Sequence, residues 1–133
     1  MGYMTHFDGR ITIKPPLRWA DIKDTEWADP KAFPDFRIDV AEQREETDDG
    51  ERIVKEGRAI IPASDDSYKG YDALSTLRAI VGRFPDHAFT GEIRAEGEEA
   101  ADVRRYLVVD GEAVEWRAAL TWPDGTREEA PRA

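Results

Sequence analysis

The stretch LSTLRAIVGRFPDHAFTGEIRA, residues 74–95, reads as a helix and a strand joined by a tight connection. Leu74, Leu77, Ile80, Val81 and Phe84 recur at steps of three and four, which places them on one face of an α-helix. Asp65, Asp66 or Ser67 can cap its start, where a side-chain oxygen meets unpaired backbone amides. Pro85 closes it, because proline lacks the amide hydrogen a helix needs. Beyond it, Phe89, Gly91, Ile93 and Ala95 alternate with Thr90, Glu92, Arg94 and Glu96. That period of two marks a strand with one buried face. A striped helix next to such a strand buries both apolar faces together, so this pair points to an α+β domain.

Working towards the N-terminus, Arg52–Ile61 and the run beginning Phe36, Ile38, Val40 predict a hairpin turning at Asp49-Gly50. From Asp24 to Pro34 the chain is polar and broken by prolines, which predicts a loop, with Trp27 and Phe33 leaning on the core. Leu17–Lys23 predicts a short helix carrying Trp19 and Ile22 on one face. Arg10–Lys14 predicts the first strand, stopped by Pro15-Pro16.

Working towards the C-terminus, Val103–Val109 predicts a strand that turns at Asp110-Gly111. Val114, Trp116, Ala118, Leu120 and Trp122 then occupy five consecutive even positions, which predicts a strand burying that face. The resulting order is β-α-β-β-α-β plus one or two strands. This is the element order of a ferredoxin-like, mostly antiparallel sheet with helices on one face. The expected organisation is one domain over residues 1–123 and a polar tail over 124–133. The solvent face of the sheet is expected to carry Arg37, Asp39, Thr90, Glu92, Arg94, Arg104 and Tyr106.

The 133 residues carry 29 acidic and 19 basic side chains, a net charge of −10. A surface of that sign repels nucleic-acid phosphates, so direct binding to nucleic acid is not expected. The absence of cysteine excludes disulfides, thiolate metal sites and a cysteine nucleophile. No apolar run approaches membrane-spanning length, and the first residues lack the pattern of a signal peptide, so a cytoplasmic protein is expected.

Chemistry is hard to assemble from these residues. His6 and His87 are the two histidines, and a zinc site needs three or four ligands. Adjacent carboxylates on a strand point to opposite faces and so do not form an acid–base pair. Glu45, Thr47, Asp49, Gly50 and Glu56 fall near the spacing of a calcium-binding EF-hand loop, but strands flank them instead of the helices that hold such a loop. Phosphate-binding glycine loops and a nucleophile elbow are absent from the sequence. No catalytic residue, cofactor or metal is therefore expected.

The opening MGYMTHFDGRITIKPPLRW, residues 1–19, resembles an uncharacterised family of short acidic proteins of actinobacteria and their phages. The similarity continues through Phe84-Pro85-Asp86-His87, Phe89-Thr90-Gly91, Glu96-Gly97-Glu98, Asp110-Gly111 and Trp122-Pro123-Asp124-Gly125, nearly the whole chain. Such a family transfers no functional residue. More distantly, Leu74 to Gly111 resembles the ferredoxin-like domain of mobile-element proteins labelled anti-restriction, which implies the same fold.

The leading expectation is a non-catalytic protein-interaction module of phage or mobile-element origin. Its partner would be another protein, with a basic surface if acidic loops do the binding. The candidate contact residues are Glu45, Glu46, Asp48, Asp49 and Glu51 in one acidic segment, Glu96, Glu98, Glu99 and Asp102 in another, and Trp27. A sharper form is an acidic inhibitor of a nucleic-acid-acting system. The alternatives are a small enzyme or ligand-binding domain with a cleft near His6, Asp8 and His87, and a subunit of a larger assembly offering an unpaired sheet edge.

Overall fold

A computed structural model describes residues 2–129. Its elements in chain order are β1 (Thr5–Arg18), α1 (Trp19–Ile22), β2 (Phe36–Thr47), β3 (Gly50–Pro62) and α2 (Ala73–Arg83), then β4 (Ala88–Gly97), β5 (Val103–Val109), β6 (Glu112–Arg117), β7 (Ala119–Thr121) and β8 (Arg127–Glu129). Six strands form one sheet in the order β2-β3-β1-β4-β5-β6. Every neighbouring pair in it is antiparallel. The class is α+β, a mostly antiparallel sheet with two helices.

Turn chemistry sets the register of the outer strands. Val109 pairs with Glu112 across Asp110-Gly111, whose φ angles are 51° and 81°. Two consecutive positive φ values define a type I′ hairpin, which matches the twist of the flanking strands. At the other edge Thr47 pairs with Gly50, so β2 and β3 close through Asp48-Asp49, one residue before the expected Asp49-Gly50 turn, with Gly50 taken into β3.

The first strand is longer than its sequence suggests. It begins at Thr5, runs through Asp8-Gly9 without turning, and passes Pro15-Pro16 to end at Arg18. Gly9 makes this possible: its φ is 114°, and a Cβ there would lie 2.5 Å from the carbonyl oxygen of Glu92. The prolines are tolerated because pairing with β3 jumps from Thr12–Ala59 to Leu17–Gly57, and they sit inside that bulge. A residue without an amide hydrogen loses nothing there.

A single core lies between the sheet and the helices. Phe7, Ile11, Ile13 and Leu17 of β1 meet Phe36, Ile38, Ile60, Phe89 and Ile93 of neighbouring strands. Ile22 of α1 and Ala73, Leu77, Ile80 and Val81 of α2 close over them. Burying each large apolar side chain contributes roughly 1.5–3 kcal/mol. Phe7 stacks on Tyr68 at 4.7 Å, and Phe36 meets Tyr106 edge-on at 5.5 Å.

Several expectations are corrected. Helix α1 is one turn, not Leu17–Lys23, since Leu17 and Arg18 remain in β1. Helix α2 starts at Ala73, well past Asp65, Asp66 and Ser67, and the Asp72 side chain does not cap it. Instead the Asp72 amide donates to the Asp35 carboxylate at 2.6 Å. Phe33 does not lean on the core and is 94% exposed, whereas Trp27 is buried. Part of the expected tail is ordered into β8, which pairs with β7 around Asp124-Gly125. Residues 130–133 of that expected tail lie outside the described residues.

The largest correction concerns the faces of β5 and β6. Arg104 and Tyr106 are buried instead of lying on the solvent face. Tyr106 pairs with Glu115 and Arg105 with Trp116, so Glu115 shares the inner face and Trp116 the outer one. Trp116, Leu120 and Trp122 are 51%, 46% and 55% exposed, contrary to the expected burial of the even positions. Helix α2 packs against the β6 edge from the other side.

Candidate functional site

Two places concentrate chemistry: a polar cavity on the helix side of β5 and β6, and the bare outer face of the same strands. The cavity is built on a charged pair inside the fold. Arg104 Nε lies 3.2 Å from Asp102 Oδ1, with side chains 4% and 0% exposed. Neither atom makes an aligned hydrogen bond, so their attraction is Coulombic. The rest of the guanidinium is held by geometry, since Nη1 donates to the Tyr106 hydroxyl at 3.1 Å and Nη2 to Thr5 Oγ1 at 3.0 Å. Tyr106 in turn donates to Glu115 Oε1 at 2.6 Å. On the other flank, Tyr3 donates its hydroxyl hydrogen to Asp102 Oδ2 at 2.5 Å.

Burial, reinforced by the bond to Glu115, pushes the Tyr106 hydroxyl well above the usual tyrosine range. Tyr3 is also raised, by desolvation and by its bond to Asp102. Both phenols therefore act as hydrogen-bond donors at neutral pH and not as bases. Buried charges persist in a protein only when paired and hydrogen-bonded, and this network meets that condition from three chain segments.

Above it lies a cavity of about 470 Å³. Its floor is Arg104, Tyr106, Glu115 and Arg117, and its walls are Tyr3, Lys69, Gly70, Tyr71 and Leu74 at the approach to α2. Arg117 Nε is 3.5 Å from Glu115 Oε2. Lys69 makes no ion pair or hydrogen bond among the described residues. The sequence holds one signal for this site: Arg104, Tyr106 and Val108 share the parity of a single face, so an arginine either faces solvent or is buried with a partner. The partners come from residues 3, 5 and 115, which no local pattern connects.

The outer face is bare of helices. It carries His6, Asp8, Arg10 and Lys14 of β1, Thr90, Glu92 and Arg94 of β4, and Arg105 and Trp116 further out, all exposed. Half-buried Val103, Leu107 and Val114 lie beside Trp116 in register. A groove of about 350 Å³ runs between Trp116, Val103, Ala118 and the arginines 94 and 105. Arg105 pairs with Glu92 at 3.1 Å and Arg94 with Glu96 at 3.1 Å, so the charged rim is largely balanced.

The acidic segments are distributed differently from a continuous negative surface. In the β2–β3 hairpin Glu45 pairs with Arg52 at 2.7 Å, Glu51 with Arg44 at 3.7 Å and Glu42 with Lys55 at 3.5 Å. Glu46, Asp48 and Asp49 sit exposed at its end. In the second segment Glu98 and Glu99 are exposed, while Asp102 is inside the fold with Arg104. Trp27 is also internal, 8% exposed against Phe84 at 6.4 Å.

His6, Asp8 and His87 do not form one site. His6 pairs with Glu96 at one end of the β1–β4 ladder, and Lys14 pairs with Ala88 at the other. Eight residues of strand separate those ends, about 26 Å. His87 is occupied locally, its Nδ1–H donating to the Pro15 carbonyl at 2.6 Å. Among the described residues no group of three or more His, Asp or Glu is placed to hold a metal ion. Also among them, no helix is long and apolar enough to cross a membrane.

No curated protein and no solved structure matches the chain. A family model described as a family of unknown function (DUF6205) matches residues 1–131. With all but the last two residues covered, the chain belongs to that family.

Proposed function

We propose that this chain is a non-catalytic protein-interaction module that docks through the bare outer face of its sheet. The observation that carries the reading is Trp116, half-exposed on a face without helices and flanked by Val103, Leu107 and Val114. Tryptophan in such a setting is the residue type that most often anchors an interface, and a balanced rim of ion pairs surrounds it as at typical interfaces. The partner is a protein presenting an apolar centre with a mixed-charge border. The order β2-β3-β1-β4 with antiparallel neighbours supports reading the first four strands as a ferredoxin-like split βαβ unit, with β5 and β6 widening the face.

Acidic-loop docking is a weaker form of the same reading, because half of the hairpin acids are already committed to Arg44, Arg52 and Lys55. Capture of tagged protein from native lysate, nuclease-treated, separates the two. Sheet-face docking predicts a stoichiometric protein partner that is lost with Trp116→Ala and kept when Glu46, Asp48 and Asp49 are neutralised together. The reverse pattern would transfer the interaction to the hairpin.

A further inference from the structure

We infer that the cavity over Arg104 is a binding site for a small organic monocarboxylate with a flat apolar body. Its charge sets the class. Three cations, Lys69, Arg104 and Arg117, face it against one lining carboxylate, Glu115. Asp102 offsets Arg104 from behind at 3.2 Å, and Glu115 and Arg117 offset each other at 3.5 Å. Among the lining residues that leaves one positive charge, on Lys69, to be matched, so a single negative charge completes the lining set. In a chain of net charge −10 this local excess of cation is set against the overall charge.

The donors agree with a carboxylate. The Lys69 ammonium has three N–H groups and makes no internal bond among the described residues. The Tyr71 hydroxyl accepts from the Tyr3 amide at 2.8 Å and keeps its own hydrogen to donate. Tyr106 is already spent on Glu115, which leaves the polar contacts of the site at the Lys69–Tyr71 wall. The apolar half is supplied by the Tyr71 ring, 60% exposed, and half-buried Leu74. About 470 Å³ falls within the usual range for small-molecule sites. The floor is preorganised, because hydrogen bonds to Tyr106 and Thr5 hold Arg104 in place. Inorganic phosphate is partly dianionic at neutral pH and has no apolar body to set against Tyr71 and Leu74, which sets a carboxylate ahead of it.

Calorimetric titration of the intact chain tests this with three probes: benzoate, inorganic phosphate and benzyl alcohol. Benzoate is expected to bind saturably below roughly 10 mM, the range for a ligand of its size. The Lys69→Glu variant is expected to weaken it at least about tenfold. Phosphate and benzyl alcohol are expected not to saturate, and Trp116→Ala is expected to leave benzoate binding unchanged. That last arm keeps the result separate from sheet-face docking. Lack of saturation by benzoate, an equal response to benzyl alcohol or phosphate, or unaltered binding by a folded Lys69→Glu variant would each overturn the proposal.

Discussion

Arg104 and Asp102 form an ion pair of 3.2 Å sealed inside the fold, two residues apart at the entrance to β5. The placement joins the first strand to the fifth, since the same two side chains hold Thr5 and Tyr3. Taking two charges out of water is costly, and the pair persists because hydrogen bonds satisfy much of what the Coulombic contact leaves over.

Removing one partner should therefore cost more than removing both. Arg104→Ala or Asp102→Ala alone is expected to lower stability by about 3–5 kcal/mol, because each strands an uncompensated charge. The double replacement Asp102→Ala with Arg104→Ala is expected to cost clearly less than the sum of the single changes. Urea unfolding of the four proteins gives the coupling, and simple additivity would contradict the pairing.

Two tryptophans should respond oppositely. Trp27 is 8% exposed and packs against Phe84, so Trp27→Ala is expected to cost about 3–5 kcal/mol. Trp116 is 51% exposed, and Trp116→Ala is expected to cost no more than about 1 kcal/mol. Denaturation midpoints decide it. A large loss at Trp116 would place that face in the core after all.

Glycines in the two element types separate strain from entropy. At Gly9, with φ of 114° and the Glu92 carbonyl oxygen 2.5 Å from where a Cβ would lie, alanine is expected to cost roughly 1–3 kcal/mol. At Gly82 in α2 nothing lies within 4 Å of such a Cβ, and alanine is expected to add roughly 0.5–1 kcal/mol. Equal effects at the two sites would remove the steric account of the β1–β4 crossing.

Asp35 links stability to pH. Burial raises its carboxyl above the ordinary aspartate range, against the lowering effect of the Asp72 amide. With a raised folded pKa, the native state holds a proton that the unfolded chain has already lost. Stability from this group is therefore present below about pH 4, the unfolded value, and is lost as pH rises through the higher folded value. Asp35→Asn, which keeps an acceptor for the Asp72 amide, is expected to gain on the parent across that window. A stability difference independent of pH from acid to neutral would refute the shift.

Much of the architecture is legible along the chain. The three- and four-residue steps of Leu74 to Phe84 mark α2, and Asp110-Gly111 marks a turn whose two positive φ values the backbone then adopts. Both are local: a stripe and a pair of turn residues constrain only their own neighbours. Proline was a weaker guide, because Pro15-Pro16 blocks a regular ladder yet fits a bulge, and only the partner strand decides which is present.

The polarity of β6 lies beyond that reach. Alternation at Val114 and Trp116 within β6 signals a period of two but carries no sign for inside or outside. The sign comes from pairing with β5, where Tyr106 faces Glu115 and brings Arg104, Thr5 and Asp102 with it. Local periodicity is a property of the backbone, readable from one segment. Which face is buried, and whether a charge there finds partners, depends on segments up to 99 residues apart meeting in space, and only the folded chain brings them together.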